Sequence, residues 1–537
     1  MKQKIRYNTK RSYIPKKKKV KNIKMPATKP TYRSTRSSNT NENISFESAI
    51  MKGLAKDGGL FIPSYIPTIT SEDLEKWSKL SFNELAYEIM SLYISEEDIP
   101  AESLKEIIKR SYSTFRSDEV TPLAKNVEKN IHVLELFHGP TYAFKDVALQ
   151  FVGNLFEFFL SKHNTANPEN IKQLTIVGAT SGDTGSAAIY GLRGKENIRV
   201  FILYPNGRIS TIQEEQMTTI QDKNIQTLSV TGTFDNCQNI VKEIFGDEEF
   251  NQKYNLGAVN SINWARILAQ ITYYFYSYFQ IANEQKDAKV KFVVPSGNFG
   301  DILAGFFAAK MGMPVEKLVI ATNENDILDR FIKSQNGEYA SSNDVKATLS
   351  PAMDILISSN FERLLWFLAY EQLSDNDADK AGSILNTWFK DLKANGKFEA
   401  GSSVVKAASA LFDSESVQDL EILQTIGKVY ENSQNPTKYI IDPHTAVGMK
   451  ATYNQLEKDG QDSGFQYICL STAHPAKFAD AVNKSLEGFE NYSFEKDVLP
   501  EELRKLSTLP KKIKLVSRAD LQLIKKAIDE EIVVMNQ

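Results

Sequence analysis

Short runs of apolar residues, rich in β-branched side chains, recur through most of the chain, and each is followed by a turn and a stretch with helical periodicity. This alternation predicts an α/β protein with mostly parallel sheets, because parallel strands covered on both faces are apolar along their whole length. The predicted strands are 131–137, 174–177, 200–204, 227–230, 290–294, 318–320, 439–441 and 467–470.

Two regions lack the strand signal and show helical periodicity instead. The first, 46–116, predicts an N-terminal helical domain, and the second, 325–435, predicts a helical insertion after which the strand pattern resumes near Lys438. The helices predicted in these regions are 82–93, 104–115, 361–372 and 381–393.

The uncharged run 267–283 is the nearest candidate for a membrane span. It contains Gln270, Thr272 and Gln280, and it is slightly shorter than the ~18–20 apolar residues that a span needs. We therefore predict a long buried helix here and no membrane partner.

Composition narrows the class of protein. The chain has 537 residues, of which 42% are hydrophobic and 10% aromatic, and this is enough to bury a sizeable core. Only two cysteines are present, Cys237 and Cys469, which excludes a disulfide scaffold and a multi-cysteine metal site. So few cysteines suit a reducing compartment, and we predict a cytoplasmic protein.

The 64 basic and 67 acidic residues nearly balance, but they are unevenly distributed. Residues 1–24 hold eleven Lys or Arg and no acid, which leaves 53 basic against 67 acidic residues, net −14, for the rest. Near-neutral total charge argues against a dedicated nucleic-acid binder. We expect residues 1–24 to be disordered and to represent sequence upstream of the true start codon, which would be that of Met25. The alternatives are that this tail is an import or nuclear targeting signal or an arm that binds nucleic acid.

A lysine with apolar and aromatic neighbours follows the first predicted strand of the sheet region, in the motif His-Gly-Pro-Thr-Tyr-Ala-Phe-Lys-Asp that ends at Lys145-Asp146. Desolvation disfavours the charged form of an amine and lowers its pKa. A neutral amine is the form that attacks a carbonyl carbon in Schiff-base chemistry. The alternative is a surface lysine whose stem lies on apolar groups.

Three further turns follow predicted strands. Small residues dominate the loop 178–185, Gly-Ala-Thr-Ser-Gly-Asp-Thr-Gly, and the loop 295–300, Pro-Ser-Gly-Asn-Phe-Gly, and both lead into helices whose first N–H groups favour anions. Neither loop matches the Walker or dinucleotide fingerprint. The segment 471–475, Ser-Thr-Ala-His-Pro, has hydroxyls for which we consider two roles. One is a hydrogen bond to a heteroaromatic nitrogen of a bound ligand, and the alternative is capping of a helix.

Together these four features fit one cofactor better than any of them does alone. Pyridoxal phosphate needs a lysine, a phosphate cradle and a partner for its pyridine nitrogen, and an amino-acid substrate adds a carboxylate to bind. Because parallel strands present their following loops at one edge of a sheet, we expect the four to meet there. No pair of histidines has metal-ligand spacing, so we predict no metal site.

From residue 32 onward the chain resembles the threonine synthase family, of the fungal and enterobacterial type, among the fold-type-II pyridoxal-phosphate enzymes. The motifs that carry the resemblance are Tyr-Arg-Ser-Thr-Arg at 32–36, Asp-Gly-Gly-Leu-Phe at 57–61, Thr-Pro-Leu at 121–123, 138–146, 178–185, Asn-Ser-Ile-Asn at 260–263 with Arg266, 295–300 and 471–475. The resemblance implies an α/β, tryptophan synthase β-like fold with two mostly parallel twisted sheets flanked by helices, beside the N-terminal helical domain and the helical insertion.

The resemblance also implies roles for individual residues, with Lys145 as the catalytic residue. At the cofactor, the resemblance implies that Lys145 forms the imine and that Thr472 faces the pyridine nitrogen. The residues implied to line the cofactor phosphate are Gly297, Asn298, Phe299, Gly300 and Asp301. Those implied at the substrate are Thr180, Ser181, Gly182, Asp183 and Thr184 at the carboxylate, and Asn260, Ser261, Asn263 and Arg266 at the phosphate. A guanidinium beside a helix start suits a phosphate, although Arg266 has a salt bridge within its helix as an alternative.

The implied reaction converts O-phospho-L-homoserine and water to L-threonine and phosphate by β,γ-replacement, the last step of threonine biosynthesis. Lys145 would shuttle protons at Cα and Cβ, phosphate would leave Cγ, and water would add at Cβ. Close alternatives are a phosphohomoserine lyase that gives 2-oxobutyrate and a serine or threonine dehydratase. The alternative outside enzymes is a nucleic-acid or scaffold protein that uses the basic tail.

The predicted organisation has five parts. They are the tail 1–24, an N-terminal domain 25–125, a large cofactor-binding domain formed by 126–150, 262–324 and 436–537, a small mobile domain 151–261, and the insertion 325–435. We expect a monomer or weak dimer without a nucleic-acid partner. His138, His444 and His474 lie in or near these motifs, and for each a hydrogen-bonded structural role is favoured over a proton relay.

Overall fold

The computed structural model describes residues 29–39, 42–342, 344–433, 438–460 and 462–536. The tail 1–24 lies outside the described residues, so what we expect of it stays a prediction. Within the described part of the chain, no helix is long and apolar enough to cross a bilayer.

The strands are mostly short. They are β1 (Tyr32–Ser34), β2 (Phe61–Pro63), β3 (Leu123–Glu128), β4 (Ile131–Glu135), β5 (Leu174–Ala179), β6 (Ile198–Pro205), β7 (Ile225–Val230), β8 (Leu256–Gly257), β9 (Lys289–Pro295), β10 (Lys317–Thr322), β11 (Glu338–Ala340), β12 (Lys397–Glu399), β13 (Phe412–Ser416), β14 (Phe465–Ser471) and β15 (Ile513–Val516).

Helices precede, separate and follow these strands. They are α1 (Phe46–Lys52), α2 (Ser71–Trp77), α3 (Phe82–Ser91), α4 (Ala101–Tyr112), α5 (Lys145–Ala166), α6 (Asp183–Leu192), α7 (Thr211–Thr218), α8 (Phe234–Gly246), α9 (Glu248–Tyr254), α10 (Trp264–Ala282), α11 (Gly300–Met311), α12 (Ile327–Lys333), α13 (Phe361–Gln372), α14 (Ala378–Asn395), α15 (Ser402–Leu411), α16 (Asp419–Asn432), α17 (Pro443–Asp459), α18 (Ala479–Leu486), α19 (Glu501–Leu506) and α20 (Leu521–Met535), with a short 3₁₀ turn at Pro475–Phe478.

The larger sheet has six strands in the order β13-β10-β9-β14-β4-β3. All neighbours run parallel except β3, which is antiparallel to β4 at one edge. β9 and β14 are buried along almost their whole length, as parallel strands covered on both faces require. The sheet therefore brings the loops that follow β4, β9 and β14 to one edge.

The second sheet has five parallel strands in the order β15-β7-β6-β5-β8. It carries the loop 178–185 at the carboxyl end of β5. These two sheets and their helices confirm the predicted fold class. Seven of the eight predicted strands are present, each extended by one to a few residues or trimmed at an end.

The predicted strand 439–441 is wrong. That segment is irregular and leads into α17, and the Tyr439 hydroxyl donates to Glu135 at 2.7 Å. The edge of the larger sheet is formed by β13 instead, which lies inside the predicted insertion and pairs with β10. Because Asp413, Ser414 and Glu415 make β13 mostly polar, it lacks the apolar run used to predict strands.

The C-terminal segment also differs from the predicted domain division, which placed 436–537 entirely in the large domain. β15 adds to the edge of the five-stranded sheet beside β7, and α20 packs against α8 of the same layer. A four-residue edge strand with two exposed apolar side chains gives no sequence signal for its partner. The smaller unit is therefore completed by residues 513–535.

The N-terminal helices confirm the predicted helical character of that region. Thr70 and Ser81 open α2 and α3 with reciprocal capping boxes to Asp73 and Glu84, which satisfies N–H groups that have no partner within the helix. α3 and α4 pack against α10 and α5. α10 is buried along most of its length, as predicted for the run 267–283.

Candidate active site

The loops after β4, β14 and β9 meet at the carboxyl edge of the six-stranded sheet. The backbone N–H of Phe144 donates to the carbonyl oxygen of Thr472 at 2.8 Å, and Ala143 bridges Ala473. The residue before Lys145 is thus bonded directly to the hydroxyl segment 471–475. The structure thus brings together two motifs whose bonded residues, Phe144 and Thr472, lie 328 positions apart in the sequence.

The loop that carries Lys145 is held by the residue that follows it. The Asp146 carboxylate accepts from the Thr141 N–H and hydroxyl, both at 2.7 Å. A Cβ on Gly139 would lie 2.4 Å from the Asp146 Cβ, so only glycine fits there. Tyr142 adopts φ +60°, a left-handed conformation that stores strain in this turn. Lys145 itself is the first residue of α5.

The Lys145 amine is desolvated and surrounded by charges of both signs. Burial lowers the pKa of Lys145 to about 8; Asp183 and, less strongly, Asp146 oppose this, and the positive charges of Lys477 and Arg266 add to it. Near pH 8 about half of the amine is therefore neutral. This is the form that the sequence analysis required of a catalytic lysine.

The hydroxyl of Thr180 holds the loop 178–185 in its conformation through hydrogen bonds within the loop. Thr180 Oγ1 accepts from the N–H groups of Gly182 and Gly185 at 3.0 and 2.9 Å, and Gly182 adopts φ +145°. The Thr180 side chain is therefore occupied within the loop. Ser181 is exposed at its tip, and Thr184 is half-buried in the first turn of α6.

Asp183 is part of an ion pair that joins the two sheets. Its carboxylate lies 2.7 Å from Lys477 Nζ and accepts from Gln213 Nε2 at 2.8 Å. Burial alone would raise the pKa of Asp183, but the charges of Lys477 and Lys145 outweigh it and hold that pKa well below its usual range. The side chain of Asp183 is thus paired with Lys477, so it is not available as an anion-binding group of this loop.

Lys477 is a buried residue of this site that the sequence analysis missed. It lies two positions beyond the segment 471–475, in the 3₁₀ turn, and its Nζ also donates to the Thr141 carbonyl at 2.8 Å. The sequence does contain a signal for Lys477, namely a lysine with apolar neighbours. Lys477 lies between Ala476 and Phe478, much as Lys145 follows Ala143 and Phe144.

The loop 295–300 forms a tight turn before α11. Phe299 adopts φ +63°, and a Cβ on Gly297 would lie 3.0 Å from the Cα of Met353, so the backbone is closely covered on that side. The Asp301 carboxylate points away from this loop and accepts from the hydroxyls of Tyr273 and Tyr274 at 2.6 and 2.9 Å. Burial raises the pKa of Asp301 to about 6. Only the backbone of residue 301 is therefore available to an anion.

The insertion supplies polar residues that the sequence analysis also missed. Ser358 Oγ donates to the Gly297 carbonyl at 2.7 Å, and Ser359 Oγ donates to Asn298 Oδ1 at 3.1 Å. Asn360 Nδ2 donates to the carbonyls of Asn298 and Ser261, at 3.0 and 3.2 Å. This segment before α13 connects the loop after β9 to the turn before α10.

Arg266 is buried without an acidic partner. Its guanidinium donates to the Val259 carbonyl at 3.2 Å and makes no ion pair with a carboxylate of the described residues. Burial lowers its pKa to about 10, which still leaves it protonated near neutral pH. The alternative of a salt bridge within the helix is therefore wrong, and a buried positive charge lies near Lys145.

The other members of the predicted phosphate site differ in availability. Asn263 caps α10, because its Oδ1 accepts from the Ala265 N–H at 3.1 Å while its Nδ2 donates to Ile50. Asn260 is exposed and Ser261 is half-buried, with its hydroxyl 3.4 Å from that of Ser359.

The three histidines are hydrogen-bonded, as favoured from sequence. His138 Nε2 lies 2.7 Å from Glu135, and His444 bonds to Asp442 at 2.7 Å. His474 accepts from the Ala476 N–H at 3.2 Å, and burial, with the charge of His138 and of Arg116, lowers its pKa to about 3. The His474 side chain is therefore uncharged near neutral pH. Within the described residues no group of three or more His, Cys, Asp or Glu side chains is placed to hold a metal ion.

Three family models match the chain. They describe a "Threonine synthase N terminus" at residues 31–112, a "Pyridoxal-phosphate dependent enzyme" at 118–470 and "Threonine synthase, C-terminal" at 445–528. The threonine synthase of Saccharomyces cerevisiae is 67% identical over 516 residues, which cover 95% of this chain and 100% of that protein. The chain belongs to the threonine synthase family. The threonine synthase of Schizosaccharomyces pombe is 55% identical and covers 88% of this chain and 92% of its own.

Solved structures of the threonine synthase family agree with this placement. The crystal structure of the yeast enzyme matches with a TM-score of 0.91 at 68% identity, covering 94% of this chain and 99% of that one. A pyridoxal-phosphate-bound threonine synthase from Brucella melitensis matches with a TM-score of 0.82 at 38% identity, over 94% and 99% of the two chains. The predicted family, the fold-type-II architecture and the class of cofactor are confirmed.

The residues present fit pyridoxal phosphate. The Lys145 amine has the lowered pKa that a carbonyl-binding lysine needs. The closely packed turn at Gly297 leads into the first N–H groups of α11, and N–H groups at a helix start favour an anion such as the cofactor phosphate. Thr472 lies beside Lys145 through the Phe144 hydrogen bond.

Proposed function

We propose that this protein converts O-phospho-L-homoserine and water to L-threonine and phosphate with pyridoxal phosphate. The observation that carries the proposal is the buried Arg266 guanidinium, which lacks a carboxylate partner among the described residues and acts on the pKa of Lys145. A buried, unpaired cation is unfavourable unless an anion binds it. A dehydratase acting on serine or threonine has no use for a phosphate site beside its lysine.

The site residues follow from this assignment. Lys145 would carry the cofactor, the backbone of Gly297, Asn298, Phe299, Gly300 and Asp301 would hold its phosphate, and the Thr472 hydroxyl would meet the pyridine nitrogen. Backbone N–H groups of the loop 178–185 and the Ser181 and Thr184 hydroxyls would bind the substrate carboxylate. Arg266, with Asn260 and Ser261, would bind the substrate phosphate, and Asn263 would support that turn.

Pyridoxal phosphate supplies a ring that withdraws electrons and stabilises negative charge at the substrate Cα. Once the substrate amine has taken its place at the cofactor, Lys145 Nζ removes the proton from Cα, since a neutral amine acts as a general base near its pKa. It gives this proton up before it takes one from Cβ, and the two protons return to Cα and Cγ of the product, while the proton left by the added water goes to the phosphate. Arg266 holds the phosphate as it leaves Cγ. The loop 178–185 limits the access of bulk water until one water adds at Cβ to form the threonine hydroxyl.

The setting of the reaction is part of the same proposal. We expect a cytoplasmic enzyme, because both cysteines are buried free thiols of the kind that a reducing compartment maintains. A monomer or weak dimer that binds neither nucleic acid nor membrane suffices, since every group assigned to the reaction comes from one chain.

A product assay tests the proposal. Purified holoenzyme with O-phospho-L-homoserine should release threonine and inorganic phosphate in equal amounts. Lys145→Ala should lose this activity and the visible absorbance of the bound cofactor, whereas Lys129→Ala, at an exposed lysine of the turn between β3 and β4, should keep both. Release of 2-oxobutyrate in place of threonine would identify a lyase and contradict the proposal.

A further inference from the structure

Lys477 is the most deeply buried cation near the reacting groups, and the proposed reaction gives it no part. Its side chain is 0% exposed, and that of its partner Asp183 is 6% exposed. Burying an ammonium is costly unless it is both paired and hydrogen-bonded. Lys477 meets both conditions through Asp183 and the Thr141 carbonyl.

The contacts of Lys477 join three loops that belong to different parts of the fold. Thr141 precedes Lys145 in the loop after β4, Asp183 opens α6 after β5, and Lys477 follows β14. α7 completes the arrangement, because Gln213 Nε2 donates to Asp183 and Gln216 Nε2 donates to Thr141 at 3.0 Å. One ammonium thus fixes the loop of the second sheet against the lysine loop of the first.

Charge gives this arrangement a second consequence. The substrate of the proposed function is an anion whose carboxylate approaches the loop 178–185, yet Asp183 places a negative charge in that loop. Lys477 neutralises this charge at 2.7 Å. Without it the Asp183 carboxylate would repel the substrate and would favour the protonated form of the nitrogen at Lys145.

We propose that Lys477 is a positioning residue that compensates the Asp183 charge and holds the loop 178–185 against the loop of Lys145. The inference rests on the proposed function for the nature of the substrate. The charged groups that act on the Lys145 nitrogen are Asp183 on α6, Lys477 on the 3₁₀ turn, Arg266 on α10 and Asp146 on α5 itself. Of these, Asp183 and Lys477 act with opposite signs and contact each other.

The opposite signs provide a test that needs no substrate. In the holoenzyme, the pH at which the cofactor absorbance changes reports the protonation of the nitrogen at Lys145. Lys477→Met should raise this midpoint and Asp183→Asn should lower it, each by about one pH unit. A shift of this size corresponds to a modest change in the interaction between the removed charge and the nitrogen at Lys145. Lys477→Arg, which keeps the charge, should stay near the wild-type value.

Kinetics test the effect on the substrate. Lys477→Met should raise the KM for O-phospho-L-homoserine by about tenfold or more, because truncating one partner leaves a buried charge unpaired. The double variant Lys477→Met with Asp183→Asn should recover most of this loss. If the pair were only a structural clamp, the double variant would be at least as impaired as the single one.

Lys291 is the matched control. It is also buried, at 4% exposure, and its side chain on β9 pairs with Asp459 at the end of α17, at 2.5 Å. Lys291→Met should reduce stability while leaving the absorbance midpoint and KM unchanged. Midpoint shifts of the same sign in Lys477→Met and Asp183→Asn, or no shift in Asp183→Asn, overturn the inference. Because the midpoint is read without substrate, these outcomes are distinct from a failure of the wild-type enzyme to form threonine.

Discussion

Buried cations define this site at the scale of single residues. Lys145, Arg266 and Lys477 gather around one side of the six-stranded sheet, although the chain outside the tail carries a net charge of −14. Asp183 neutralises Lys477, and Arg266 keeps no such partner among the described residues. The guanidinium of Arg266 is therefore a local positive charge without a carboxylate partner, and an anionic leaving group requires such a charge.

Arg266→Gln should weaken binding of the substrate phosphate. Losing a buried guanidinium contact to a charged group costs about 2–5 kcal/mol, so we expect KM to rise by about two orders of magnitude. Steady-state kinetics measure this, and inhibition by inorganic phosphate should weaken in parallel. Arg266→Lys should fall between the two, because an ammonium keeps the charge but lacks the bidentate fork.

Arg33→Gln is the matched control for this prediction. Arg33 and Arg266 are both 4% exposed, but Arg33 pairs with Asp379 and the Ser37 carbonyl away from the site. Its loss should lower the melting temperature and leave KM unchanged. An equal rise of KM in both variants would show that Arg266 acts only through stability.

Sequence reasoning located loops that the structure brings together, but it could not assign every side chain within them. The criterion of a lysine between apolar neighbours found Lys145 and, applied once more, finds Lys477. It could not show that the Thr180 hydroxyl serves its own loop or that Asn263 caps α10. A short polar side chain next to backbone N–H groups binds them as readily as a ligand, and spacing along the chain does not separate the two.

At the scale of elements, apolar runs located the central strands and missed the edges. β9, β10 and β14 are covered on both faces, so their sequences are continuously apolar. β13 and β15 lie at sheet edges, where one side has no neighbour and polar residues are tolerated. The run 439–441 is apolar for a different reason, since Ile441 packs in the core beneath α17 without joining a sheet.

The segment before α13 is expected to control how firmly the cofactor is held. Asn360→Ala removes the side-chain amide that donates to the carbonyls of Asn298 and Ser261, although the Asn298 carbonyl keeps the backbone N–H of residue 360 at 3.1 Å. Each lost hydrogen bond costs about 0.5–1.5 kcal/mol. We predict that pyridoxal phosphate dissociates at least several-fold more readily, as measured by loss of cofactor absorbance during dialysis. KM should rise as well, because Ser261 lies on the substrate side.

Asn395→Ala provides the comparison within the same insertion. Asn395 ends α14 at an exposed position, so its loss should leave cofactor retention unchanged. Normal retention in Asn360→Ala would mean that the loop 295–300 keeps its shape without the insertion.

At the scale of the whole molecule, the candidate active site lies between the two larger sheets, and the chain passes from one of these sheets to the other three times. The crossings follow α5, β8 and α19, and the last one returns β15 and α20 to the five-stranded sheet. The ion pair of Lys477 with Asp183 joins the part of the chain around the six-stranded sheet to the part around the five-stranded sheet. Any closure of the smaller unit is therefore expected to be a rotation about this contact rather than a separation.

We predict that O-phospho-L-homoserine induces this rotation and that inorganic phosphate alone does not. The substrate carboxylate can bind the loop 178–185 on the second sheet while its phosphate binds near Arg266 on α10, so it bridges these two parts of the chain, whereas phosphate contacts only one. Crystal structures of the holoenzyme, superposed on the six-stranded sheet, should show α6 and α7 displaced toward Lys145 only with substrate. Identical positions of these helices in free and substrate-bound crystals would contradict the prediction, and the same displacement with phosphate would place its cause at Arg266 instead of the carboxylate loop.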